Sequence, residues 1–436
     1  MTRHARTHPA PRQWTLVGLV AAGLGIALAA VALAVPRGPA TPVGAIRPVS
    51  SASPDAPTPT PSPTADPDAA FTILAAGDVL PHLPVIGSAR TSSGSYDFAP
   101  LLDPLGTWVR GADLALCHLE VPVAPHGAKP SGYPMFASPA EIAQGLADGG
   151  WDGCSTASNH SVDRGFAGVA ATLDALDAAA LGHVGTARSA WEQSQPQLYV
   201  LERAGQRLTV AHLAATYGTN GMPVDADKPW SVDLLDTARL VAQAQAARSA
   251  GADLVVASVH CCVEYVTEPT ARQTEVAQAL ADSGVVDLLI GHHAHVPQPV
   301  ARLEGGPGGD GMWVAYGLGN MLSNQDAECC VAGTESGLLL TAHVTSTGAF
   351  PARGIPSGPA RVTGVEWTPT TVDRGSGHRL HALIDIPEGT STLSASEVAT
   401  RAERVRAAAG TGASERTDPT TPTGPEPLVV IRTDVA

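Results

Sequence analysis

The sequence predicts an α/β fold, and two observations carry that prediction. Short apolar runs of strand length recur along the chain, and segments with helical spacing of apolar residues lie between them. Helix and strand taking turns in this way is the signature of an α/β domain. A third feature concerns function: five of the apolar runs stop on residue types that bind metal.

In chain order, Phe71–Gly77 runs into Asp78, Ala112–Cys117 into His118-Leu119-Glu120, and Trp151–Ser158 into Asn159-His160. Gly165–Leu176 follows with Phe166, Val169, Leu173 and Leu176 at helical spacing. Gln197–Glu202 and Arg207–Ala214 read as strands. Leu234–Arg248 reads as a helix before the run Ala252–Val259, which ends at His260. Thr270–Ala281 precedes the run Val286–Gly291, which ends at His292-His293-Ala294-His295. Gly251 and Gly284 sit where a helix C-terminus favours glycine. Met312–Ala315 is a further strand. No internal repeat is visible.

The ends of the chain have a different character. Residues 1–13 carry Arg3, Arg6 and Arg12 with no acid, a basic segment that belongs in the cytoplasm. Residues 14–35 are uncharged and 22 long, enough for a membrane-spanning helix. Cleavable signal peptides usually have an apolar stretch of about 7–15 residues, which favours an uncleaved anchor. Ala32-Leu33-Ala34 resembles a cleavage site, so secretion after cleavage is the alternative. Residues 36–68 form a Pro/Thr/Ser-rich spacer, 69–390 the folded domain, and 391–436 a polar tail disordered between Glu415 and Pro427. The expected location is the cell membrane, single-pass, with the domain outside. The first cysteine is Cys117, which excludes lipoprotein anchoring near the membrane.

A formal charge of −15 argues against general attraction to nucleic acid or anionic lipid. An anionic substrate would have to be captured locally, most simply through bound cations. Aromatics make up only 4% of the chain, so the core must rest on Ala, Val and Leu.

Ligands of open α/β sheets bind beyond the carboxyl ends of the strands. Carboxylate, amide and imidazole groups delivered there converge on one crevice. Asp78 alone could be a turn cap, His260 a core histidine, and Asn159 part of a turn. Three imidazoles in four residues after a strand are harder to explain as packing. Alternation along the strand would point His293 and His295 the same way and leave His292 as support. A carboxylate such as Glu120 at the buried end of a strand needs a cation or donors. Asp163, three residues past His160, could orient that imidazole. Oxygen and imidazole donors without thiolate pairs at zinc-ribbon spacing suit Mn, Fe, Zn or Mg, and their number suits two divalent ions.

Taken in order, Gly77-Asp78, Leu119-Glu120, Ser158–Gly165 (Ser-Asn-His-Ser-Val-Asp-Arg-Gly), His260–Tyr265, Gly291–Val296 and Tyr316–Asn320 resemble the bacterial capsule-synthesis CapA family. That family is the poly-γ-glutamate-synthesis branch of the calcineurin-like metallophosphoesterases. The resemblance covers about residues 71–345. It implies a four-layer sandwich of two central mixed sheets flanked by helices. It implies metal ligation by Asp78, Glu120, Asn159, His260, His293 and His295, with Glu120 as the bridging carboxylate. His160, paired with Asp163, would be the general acid or transition-state stabiliser. His82, His118, His292, Tyr265 and Asn320 would act as supporting or substrate-facing groups. Three departures stand out: His118 in place of an Asn before Leu-Glu, no histidine two residues after Asp78, where only the displaced His82 is at hand, and Cys261-Cys262 in place of Trp-Gly.

Cys117 and Cys154 look like small core residues. The pairs Cys261-Cys262 and Cys329-Cys330 invite a bridge between them, tying the Tyr316–Gly333 loop to the rim of the site, while bridges within each pair are disfavoured. The expected function is metal-dependent hydrolysis or transfer on a capsule or other cell-envelope polymer, poly-γ-glutamate-like and anionic, with other capsule-synthesis proteins as partners. The alternatives are a non-catalytic polymer-binding assembly factor and a secreted phosphodiesterase.

Overall fold

The computed structural model describes residues 64–432. The 14–35 segment therefore lies outside the described residues, as does most of the spacer. Among the described residues no helix is long and apolar enough to cross a membrane.

The described residues form sixteen strands: β1 (Ala69–Val79), β2 (Leu114–Leu119), β3 (Gly153–Ser155), β4 (Gly182–Val184), β5 (Gln197–Arg203), β6 (Gln206–Thr216), β7 (Leu254–His260), β8 (Leu288–His292), β9 (Val300–Leu303), β10 (Met312–Ala315), β11 (Asn320–Leu322), β12 (Ser336–Ser346), β13 (Arg361–Asp373), β14 (Arg379–Ala382), β15 (Ser414–Glu415) and β16 (Leu428–Val430). One sheet runs β14-β13-β12-β1-β2-β3-β4, with β11 beside β1 and β15 beside β13. The other runs β16-β5-β6-β7-β8-β10-β9. Both are mixed. β1 to β4 and β6-β7-β8-β10 pair in parallel, and antiparallel strands close the flanks.

Side-chain alternation divides the apolar residues of β1 between two cores. Phe71, Ile73 and Ala75 meet Tyr199, Leu201, Val256 and Ile290 of the second sheet. Leu74 and Ala76 face outward against Trp108, Leu146, Val169 and Leu173. On the far side, Val255, Ala257 and Val259 pack under Leu240, Ala244, Val276 and Leu280 of the helices Thr237–Ser249 and Ala271–Ser283. Helix, sheet, sheet, helix is the four-layer sandwich expected. A strand covered on both faces reads as a continuous apolar run, as β1 and β7 do.

The helices follow their local signals. Thr270 and Gln273 form a capping box, and Asp236 caps Thr237–Ser249 by accepting from the Arg239 N–H. Gly284 ends Ala271–Ser283 at φ 66.

The parallel strands share a device at their amino ends. Asp113, Asp152, Asp253 and Asp287 each stand just before a strand, and each carboxylate accepts the backbone N–H of the neighbouring strand. The acceptors lie 2.8 Å from Thr72, 2.7 Å from Ala115, 2.8 Å from Thr209 and 2.7 Å from Val255. The recurring Asp in Ala-Asp-Leu, Trp-Asp-Gly, Ala-Asp-Leu and Val-Asp-Leu is thus a clamp that satisfies otherwise orphaned donors.

Two expectations are corrected here. Residues 391–432, the described part of the segment 391–436, are not a loose tail. Ala395–Ala409 is a helix with its own capping box at Ser394 and Glu397, and Val405 and Ala409 enter the core between the sheets. Glu415–Pro427 crosses the surface on polar ties: Thr423 donates its N–H and hydroxyl to Asp113 at 2.6 and 2.9 Å. β16 then adds to the edge of β5, and Arg432 is buried against His183 at 2.8 Å. Pro/Thr-rich composition suggested disorder because it shows little apolar surface; hydrogen bonds hold the segment instead. The second correction is Cys117, which pairs with Cys154. The two are register partners on β2 and β3, with Cα atoms 4.4 Å apart.

Asp113 also forms an ion pair with Arg203 at 2.8 Å, both side chains essentially inaccessible. Asp113→Ala leaves that guanidinium buried and unpaired and releases the Thr423 strap. The expected loss is about 3–5 kcal/mol, read as a lower urea midpoint with an unchanged slope.

Candidate metal centre

The five loaded strand ends meet at one edge of the two sheets. Asp78 lies at the end of β1, His118 lies in β2 with Glu120 just beyond it, Asn159 and His160 follow β3, His260 ends β7, His292 ends β8, and His293 and His295 follow it. Asp78, Glu120, Asn159, His118, His260, His292, His293 and His295 are all buried, with His160 slightly more open.

What brings the sheets together here is the segment Tyr316–Asn320. It leaves β10 in one sheet and enters β11 in the other, crossing the site on the way. Leu318 N–H donates to Gly291 O at 3.1 Å, and Asp78 N–H donates to Gly319 O at 2.9 Å. The approach is so close that a Cβ on Gly77 would lie 2.1 Å from Gly319 O, and one on Gly291 1.9 Å from Tyr316 O. Glycine before Asp78 and before His292 is therefore a requirement of the crossing.

The donor atoms form two groups, each within 4.8 Å internally: Asp78, His118 and His260, and Glu120, His293 and His295. His260 Nε2 lies 2.8 Å from Asn159 Oδ1, which places the amide oxygen beside the first group. Glu120 Oε1 lies 3.8 Å from His260 Nε2 and 3.7 Å from His295 Nε2, between the two groups. His295 Nδ1 is 3.1 Å from Asp78 Oδ2 and 3.0 Å from Asn320 Oδ1.

His118 was expected to play a supporting part, yet it belongs with Asp78 and His260. Its Nε2 is 2.9 Å from His260 Nδ1, and its Nδ1 is 2.7 Å from Ser155 Oγ. The signal was present in the sequence: His118 and Glu120 are two apart, so an extended chain points both the same way. Strand alternation, by contrast, does not explain the histidine cluster. His293 and His295 stand at φ 84 and φ 55, so the chain has left extended geometry before either side chain turns inward. His292 stacks on His118 at 4.0 Å, with Nδ1 3.2 Å from Asp78 Oδ1.

His82 does not make up the missing partner of Asp78. Its Nδ1 lies 2.9 Å from Leu80 O and 3.3 Å from Asn324 N, and burial pushes its pKa down to about 4. Phe136 stands with its ring 5.2 Å from His82 and 4.7 Å from His160. His160 Nδ1 is 2.8 Å from Asp163 Oδ2, which also accepts the Phe136 N–H at 2.7 Å. Tyr265 lies with its ring 6.0 Å from His295, its hydroxyl 3.2 Å from Gln325 Nε2. Gln325 in turn accepts from Asn320 at 2.9 Å.

The expected bridge between the two cysteine pairs does not form. Cys261 pairs with Cys262 and Cys329 with Cys330. The sequence reading also missed the loop after β6. It ends in no metal-binding residue type, yet it places the Tyr217 ring 4.7 Å from that of His293 and Asn220 against Asn159.

The charges show what the pocket lacks. Burial pushes the Glu120 carboxyl well above its usual range, and neither of its oxygens has a hydrogen-bond partner. Burial also opposes charge on Asp78, but hydrogen bonds from His292 and His295 hold its pKa well below normal. Burial drives His118 and His260 well below the ordinary imidazole value, and His293 to about 3. Burial works against charge on His295 too, yet Glu120 and Asp78 outweigh it and push it up to about 10. His293 Nδ1 is a further buried atom without a partner. The bare Glu120 oxygens, set among the neutral rings of His118, His260 and His293, fit divalent cations better than any donor the described residues supply.

A family model described as bacterial capsule synthesis protein PGA_cap matches residues 72–325. The chain belongs to the PGA_cap family. The match takes in every strand end of the site and the Tyr316–Asn320 crossing. Among related proteins, the capsule biosynthesis protein CapA of Bacillus anthracis is 28% identical over 188 residues, 42% of this chain and 43% of that protein. The PGA biosynthesis protein CapA of Bacillus subtilis is 28% identical over 172 residues, 39% and 42% of the two chains. A probable polyglutamine synthesis accessory protein of Mycobacterium tuberculosis is 25% identical over 193 residues, 42% and 47%. The matched segments thus span under half the length of these PGA_cap relatives. Of solved structures, the NAD nucleotidase of Haemophilus influenzae aligns with a TM-score of 0.45 and 14% identity, over 77% of this chain and 62% of that one.

A protonated His295 would have to give up its proton to become a ligand. At pH 7 metal uptake is therefore expected to release protons, with apparent affinity rising up to about tenfold per pH unit per proton displaced. Titration calorimetry with Mn²⁺ in two buffers of different ionisation enthalpy measures this. Identical heats in both buffers would contradict it.

Proposed function

We propose that this chain is a metal-dependent hydrolase or transferase of a capsule or cell-envelope polymer, with poly-γ-glutamate-like chains as its substrate class and its domain held outside the membrane by residues 14–35. Glu120 carries the reading: a fully buried carboxylate with both oxygens unpartnered, set between two groups of buried donors. Asp78, His118, His260 and Asn159 would hold one divalent ion and Glu120, His293 and His295 a second, with Glu120 shared. Bound there, such ions supply Lewis-acid polarisation of a phosphoryl or amide oxygen.

The remaining work falls to His160. Asp163 engages its Nδ1, which leaves Nε2 as the nitrogen available to a ligand. That nitrogen can donate to a leaving group or to charge developing on the reacting centre. Asp163 fixes the ring, since the same oxygen is anchored by the Phe136 N–H. Family membership and the CapA names of the relatives support a polymer of the capsule type. The chain's own acidity supports capture of an anionic chain through cations rather than through surface charge.

The test is to purify the full chain, count its metal by plasma mass spectrometry, and assay poly-γ-glutamate beside a generic phosphodiester. His160→Ala is expected to keep the metal and lose about 10²–10⁴-fold in turnover. A wild-type protein without metal refutes the reading. Metal without turnover of either substrate, but with retained polymer binding, favours a non-catalytic assembly role. Turnover of the phosphodiester alone favours a phosphodiesterase.

A further inference from the structure

We propose that Asn220 is a positioning residue for the metal centre: it fixes the carboxamide of Asn159 so that the oxygen, and not the nitrogen, faces the donor groups. The proposal rests on the metal-binding reading above.

The two ends of a carboxamide have nearly the same shape, so hydrogen bonds alone decide which way it points. Asn159 Oδ1 lies 2.8 Å from His260 Nε2, while Asn159 Nδ2 donates to Asn220 Oδ1 at 3.3 Å. With the Asn159 amide reversed, two carboxamide oxygens would face each other on the Asn220 side with no proton between them, and an NH₂ donor would face the site. Asn220 Oδ1 is thus the acceptor that makes one orientation favourable.

The loop that carries Asn220 is built to hold it there. Tyr217 N–H donates to His260 O at 3.0 Å, so the loop starts on the backbone of a donor residue. Thr216 Oγ1 donates to Gly218 O at 3.1 Å, and Thr219 Oγ1 donates to Met222 O at 2.7 Å. Met222 N–H returns to Thr219 O at 2.8 Å, with Asn220 at φ 51 and Gly221 at φ 75. Two consecutive left-handed residues closed by that bond make a type I′ turn, for which Asn-Gly is the preferred pair.

The turn therefore accounts for an asparagine at this position, but not for the direction of its side chain. Glycine fits a left-handed position at least as well. A residue chosen for the turn alone is replaceable by glycine without loss; a residue that supplies an acceptor is not. Aspartate keeps the acceptor oxygen and tolerates the backbone conformation.

The experiment compares the full chain with its Asn220→Gly and Asn220→Asp variants, each stripped of metal and titrated with Mn²⁺ by calorimetry. Thermal melting of the metal-free forms serves as the control for folding. Asn220→Gly is expected to melt like wild type and to bind Mn²⁺ about 10–100-fold more weakly. Asn220→Asp is expected to retain wild-type affinity. Unchanged affinity in Asn220→Gly overturns the proposal, and so does equal weakening in both variants. A wild-type chain that takes up no Mn²⁺ fails at the earlier step and overturns the metal reading itself.

Discussion

Two carboxylates, Asp78 and Glu120, are shut away from water at the edge where the two sheets meet. Removing a carboxylate from water is strongly unfavourable unless something nearby restores the lost interactions. For Asp78 the restoring groups are His292, His295 and the His293 N–H. Glu120 has only distant imidazoles, and its own burial raises its affinity for a proton. The surrounding architecture serves this pair. Glycines beside Asp78 and His292 let the crossing segment approach, and the left-handed His293 and His295 turn their rings inward. Ser155 orients His118 from the next strand.

The two ends of the parallel strands do different jobs. At their amino ends, aspartates grip the backbone of neighbouring strands, and Arg203 and Arg248 neutralise two of them. Each of these acids has at least one oxygen satisfied by a backbone N–H within the protein. At the carboxyl ends the acids face imidazoles and each other, and satisfaction is incomplete. The same residue type therefore reads as structure at one end and as chemistry at the other. The distinguishing fact is whether imidazoles crowd around it: they do at Asp78 and Glu120 and do not at the amino-end aspartates.

Much of this was legible in the sequence because the physical rules involved are local. Apolar runs marked strands, capping residues marked helix starts, and residues just past the strands marked the site. What escaped was set by distant parts of the chain. Asn220 gave no signal, since Asn-Gly announces a turn whatever its side chain touches. His118 was undervalued because its role depends on His260, more than a hundred residues on, although its spacing from Glu120 already put both on one face. His82 stood out as a supporting group by its closeness to Asp78 in sequence, and the backbone of Leu80 claims its ring. Proline and threonine near the C-terminus suggested disorder, since composition cannot show that Asp113 waits to receive Thr423. The cysteine pairs misled in the same way: Cys117 meets Cys154 through strand register, which no count of cysteines contains.

The crossing at Tyr316–Asn320 draws donor groups from both sheets into one place. Asp78, His118, Glu120 and Asn159 ride on one sheet, while His260, His293 and His295 ride on the other. The distance between the donor sets is therefore a property of the sandwich interior, fixed by residues such as Phe71, Tyr199 and Ile290 far below the site. Ions that differ in radius by tenths of an ångström ask for different spacings between the sheets. Close-packed interiors resist such changes. On the proposed metal reading, the thickness of the hydrophobic layer, and not only the identity of the ligands, would act as a gauge for the ion held there.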